Sequence, residues 1–148
     1  MYKTYINLAM LILRRSVRDR VDAKDHLELA LRYLEEGKSL VNEDPVQASE
    51  KLYKAAEEVV KSLTSHFGLS DIIKRVGERG RWTVTELEKA VEAITEKVGE
   101  WFRYSWDAAW VLHVWGFHEA KLDSKAVKLR LPSIERMTLE AQRTIGKE

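Results

Sequence analysis

The chain has no cysteine, and that absence excludes disulfides, thiolate metal sites and cysteine nucleophiles together. Proline occurs twice and glycine seven times, too few to punctuate a fold rich in turns and strands. Asparagine and glutamine are equally scarce, at two each (Asn7, Asn42, Gln47 and Gln142). Charged residues make up 33%, and many charges beside few labile amides is a composition typical of thermophiles. Neither charge sign prevails: 25 Lys and Arg against 24 Asp and Glu leave no global field to draw the chain to nucleic acid. Long apolar runs are missing too. Tyr5 to Leu13 is broken by Asn7 and falls far short of the roughly 20 residues a membrane helix needs. It has no small-residue cleavage site and runs into Arg14 and Arg15, which argues against a signal peptide. The expectation is a soluble, cytoplasmic protein with no membrane partner.

What is present is helical patterning over 1–148, read as a single domain. Ile6, Ala9, Met10, Leu13 and Val17 share one face of a first helix, and Leu8, Leu11 and Ile12 make its other side apolar, as in a subunit interface. Asp22 is placed to cap a second helix carrying Leu27, Ala30, Leu31, Leu34 and Val41 inward, with Gly37 on its outer side. Asp44-Pro45 opens a third helix that runs to about His66 and ends before Gly68. Residues 69–82 predict a short helix around Ile72, Ile73 and Val76, then a turn from Gly77 to Trp82. Thr83-Val84-Thr85-Glu86 is a capping box for a fourth helix. The pattern continues beyond Gly99, whose effect on the helix is left open. A segment after Asp123 leads to a helix headed by Pro132 and ending near Thr144.

Four of the five tryptophans and two of the four histidines fall between Trp101 and His118. On an ideal helix Trp101, Ser105, Ala108, Leu112 and Trp115 form a core stripe. Trp106, Trp110, His113 and Phe117 form a second aromatic stripe, suited to core or to an interface between copies. Arg103 and Asp107 lie on a third face with His118. His113 and His118, five residues apart, point about 140° away from each other at helical spacing. On that geometry they share no ion, and neither metal nor cofactor is expected. Metal-free RNA cleavage requires a histidine and a cation to hold phosphate; Arg103 with His113 or His118 supplies both, with Asp107 and Glu119 as the nearby carboxylates. Glu57 and Glu58 belong to a solvated face, unless one turns inward to pair with Arg103 or a histidine.

Leu27 to Gly37, Gln47 to Glu58 and Leu112 to Ala120 resemble the PaREP1 family of hyperthermophilic crenarchaea, across about residues 20–135. That resemblance implies kinship with the HEPN superfamily, helical bundles that often dimerise. Many of its members are ribonucleases, some acting as toxins, and others bind nucleotides or partner nucleotidyltransferases. Their nuclease motif is an arginine, four to six residues and a histidine; here nine residues separate Arg103 from His113. The expected fold is therefore an all-α, HEPN-like antiparallel bundle of about five to seven helices, with a core over about 20–121 and a helical extension over 123–145. The expected function is a homodimeric binding or assembly module, with RNA or a nucleotide as the further partner. The interface candidates are Trp106, Trp110, Phe117, Leu8, Leu11 and Ile12.

Overall fold

A computed structural model describes the backbone of residues 2–146 and the side chains of residues 17–146. It is all-α: α1 (Tyr2–Leu40), α2 (Pro45–His66), α3 (Ser70–Arg79), α4 (Val84–Val98), α5 (Trp101–Val111) and α6 (Ser124–Ile145). Between α5 and α6 the helix widens into a π-turn over Leu112–His118. Among the described residues no helix is long and apolar enough to cross a membrane.

The boundaries follow local chemistry where a cap exists. Asp44 accepts from the Gln47 backbone N–H at 3.1 Å, and Pro45 takes the first helical position, where its missing N–H costs nothing. The Thr83–Glu86 capping box forms, and the Thr83 hydroxyl holds the Glu86 carboxyl below the usual carboxylate range. Arg79 at the end of α3 reaches the same carboxylate at 3.0 Å, tying α3 to α4. Gly99, at φ +115°, ends α4 and separates it from α5.

Four expectations are corrected. Asp22 caps nothing, because α1 runs unbroken through it. Gly77 lies within α3, and the left-handed Gly80 ends that helix instead. Pro132 sits inside α6, which starts eight residues earlier at the Asp123 cap; its ring is on an exposed face. Gly37 is buried, not outward: a Cβ there would lie 2.7 Å from Leu52 Cδ2, so its missing side chain lets α1 and α2 approach closely. The side chains of Leu8, Leu11 and Ile12 lie outside the described residues.

The short turn after Leu40 makes α1 and α2 an antiparallel pair, and α2 is the central helix, packing against every other element. Ser62 on α2 donates to the Ala23 carbonyl of α1 at 2.6 Å, and Ser124 at the start of α6 donates to Val41 at 2.8 Å. Leu52, Leu63, Ile94, Phe102, Trp106, Leu112, Ile134 and Met137 fill the core.

Candidate functional site at the π-turn

In an α-helix the N–H of residue i reaches residue i−4; in a π-turn it reaches i−5, so residues five apart stack one above the other. The Glu119 N–H closes such a bond on Val114 O at 2.8 Å. This corrects the 140° separation: the Nε2 atoms of His113 and His118 are 3.3 Å apart, their rings meeting edge to face. The same widening turns Trp115 out to solvent, where 52% of it is exposed, against its expected place in the core.

Gly116 sets the turn against α2. A Cβ there would collide with the Ser49 side chain, so only glycine admits this approach. Ser49 donates to Pro45 O at 2.7 Å, which keeps its hydroxyl satisfied in the contact. The next residue, Glu50, then reaches His113, with Oε1 2.9 Å from Nδ1. A carboxylate only accepts, so the His113 Nδ1 carries a proton, and in the neutral ring the Nε2 lone pair faces His118. Glu50 and His113 are largely shielded while His118 is exposed, giving a relay that runs from buried acid to solvent.

Aromatic rings flank this relay. Tyr53 stacks on His113 with centroids 4.0 Å apart, and Trp110 lies 5.3 Å from the same imidazole. Burial pushes the Tyr53 phenol up, and neighbouring Glu57 adds to the shift, so the hydroxyl stays neutral and donates toward Glu57 at 3.4 Å. Beside them is a cavity of about 320 Å³ whose walls include Tyr53, Trp82, Trp110 and His113, with Arg81 and Glu57 as its charged groups. Arg81 makes no ion pair among the described residues.

The remaining sequence candidates are not gathered here. Arg103 is exposed, held by Glu100 at 3.1 Å and laid over Tyr104; it is roughly 15 Å along the helix from His113. Asp107 and Glu119 are exposed as well. Trp106 is 1% exposed and donates its indole N–H to Glu88 at 2.9 Å, so this chain's own core already covers it, against its expected place at an interface. Phe117 is half-buried beside the His118 ring. Glu58 does turn inward, but to His26 at 2.5 Å rather than to the aromatic segment. Glu50 is the residue that the sequence reading missed.

The fold has solved relatives. A crystal structure of a protein from Sulfolobus solfataricus is 37% identical, covers 78% of this chain and 94% of that one, and superposes with a TM-score of 0.72. A solution structure of the same structural-genomics target is 37% identical over 78% of this chain and 89% of that one, with a TM-score of 0.69. No curated protein matches. The archaeal PaREP1/PaREP8 family matches residues 25–138, a span that includes α2, the π-turn, Glu50 and both of its histidines. The chain belongs to the archaeal PaREP1/PaREP8 family.

Proposed function

We propose that the protein is a non-enzymatic ligand-binding module whose cavity beside His113 takes a planar ring of the nucleobase class. The observation that carries this is the aromatic lining: Tyr53, Trp82 and Trp110 are among the walls of a cavity of about 320 Å³. That volume lies at the lower end for small-molecule sites, and base stacking on such rings contributes about 1–3 kcal/mol per base. Arg81, exposed and always charged, supplies a cation for a phosphate, and the Glu57 carboxylate supplies an acceptor for ring edges. The ribonuclease alternative has less support, because Arg103 is held by Glu100 far along the helix from His113.

Calorimetric titration with purine and pyrimidine mononucleotides tests the reading. Saturable binding is expected, weakened about five- to hundredfold in Trp110→Leu by the loss of one stacking face. Arg81→Ala is expected to weaken nucleotides more than free nucleosides. Absence of saturable binding, or equal affinity in Trp110→Leu, would contradict it. Cleavage of labelled RNA that is lost in a folded His113→Ala variant would replace it with the nuclease reading.

A further inference from the structure

We propose that His113 and His118 bind a late first-row divalent cation such as Zn²⁺, with Glu50 as the carboxylate that orients His113. Their Nε2 atoms stand 3.3 Å apart. Two imidazole nitrogens bound to zinc at 2.0–2.1 Å lie about 3.4 Å apart at the tetrahedral angle. The pair is therefore already at the spacing of two ligands on one ion. Glu50, accepting from Nδ1, fixes the ring and leaves the Nε2 lone pair facing His118. This carboxylate–histidine arrangement recurs behind metal-bound imidazoles, where it raises ligand basicity.

The backbone is an independent observation. Continuing α5 as an α-helix would separate the two rings by about 140°, and only the π-turn brings them together. π-turns occur frequently at functional sites, where a distorted helix places a side chain that a regular one could not. One ligand atom from each of Glu50, His113 and His118 lies within 4.8 Å of the other two. His118 is exposed, so an ion reaches it from solvent without opening the core. Imidazole donors favour zinc, copper, nickel and cobalt over magnesium and calcium. Two protein ligands leave the other positions of the shell to water or to a bound molecule.

The test uses the untagged chain of residues 1–148, stripped with a chelator and titrated calorimetrically with ZnCl₂, CoCl₂ and MgCl₂. Saturable binding of one Zn²⁺ or Co²⁺ per chain is expected, with none of Mg²⁺ and a tetrahedral visible spectrum for Co²⁺. His118→Ala, a change at an exposed position, is expected to keep its circular dichroism and to lose saturable Zn²⁺ binding, because one of the two protein ligands is gone. Glu50→Gln is expected to lose about ten- to hundredfold, as removal of an orienting carboxylate does. His26→Ala, remote in sequence and paired with Glu58, is expected to bind as wild type. Absence of saturable Zn²⁺ binding, or undiminished binding by His118→Ala, would overturn the site. Loss in Glu50→Gln as complete as in His118→Ala would overturn the orienting role and make Glu50 a ligand.

Discussion

Two carboxylates of α2 each hold a histidine: Glu58 holds His26 on α1, and Glu50 holds His113 on the π-turn. Burial alone would push the Glu58 carboxyl up, but the His26 hydrogen bond and nearby Lys61 bring it below its ordinary value. A carboxylate depressed in the folded state stabilises the fold fully above its unfolded pKa, about 4.3, and loses that contribution as pH falls through the lower folded value. Glu58→Gln is therefore expected to cost about 1–2 kcal/mol in denaturant unfolding at neutral pH, with the difference from wild type shrinking only below about pH 4.3. A difference constant down to pH 2 would contradict the assignment. That either acid faces inward was only half legible in the sequence. α2 carries small residues at Ala48, Ser49, Ala55 and Ala56, the mark of a helix enclosed on several sides. Acids on such a helix must find partners, but the sequence does not name them, because the partners come from 32 and 63 residues away.

Among the elements, the starts of α2 and α4 were legible from their caps, whereas the Asp123 cap of α6 was passed over in favour of Pro132. Asp44-Pro45 and Thr83–Glu86 satisfy orphan backbone groups within four residues, so their signals are local. The π-turn has no such code; its Gly116 answers a contact with Ser49 on another helix. Gly116→Ala should cost about 1–3 kcal/mol by overpacking, and should also break the Glu50–His113 hydrogen bond as α2 is displaced. A Ser49→Gly change in the same chain removes the clashing atoms and should restore the histidine environment, read by its NMR shifts, even though glycine weakens α2. Ala120 follows the turn with φ +52°, a left-handed conformation that L-residues adopt at a cost of about 1–2 kcal/mol. Ala120→Gly is expected to raise stability by about 0.5–1 kcal/mol after glycine's larger entropy loss is counted. A lower unfolding midpoint would contradict that strain.

At the scale of the molecule, the aromatic segment divides between two tasks. Its inner side, Phe102, Trp106, Ala109 and Leu112, closes the core around α2. Trp106→Ala should consequently cost about 3–5 kcal/mol, and the loss should be independent of protein concentration, as for a core residue. A midpoint shift that vanishes at high concentration would instead place Trp106 between copies. The other side, with Tyr53 from α2, surrounds His113 and the cavity. Helical periodicity put Leu112 inward but left Trp106 between core and interface, and the π-turn hid the second task by rotating the residues after Leu112.

The central claim is that this turn joins Glu50, His113 and His118 into one connected group. Long-range ¹⁵N–¹H spectra of the imidazoles measure it directly in the metal-free chain. His113 is expected in the Nδ1–H tautomer, its nitrogens shifting in both Glu50→Gln and His118→Ala, while His26 stays unmoved. A His113 in the Nε2–H tautomer, insensitive to His118→Ala, would contradict the account.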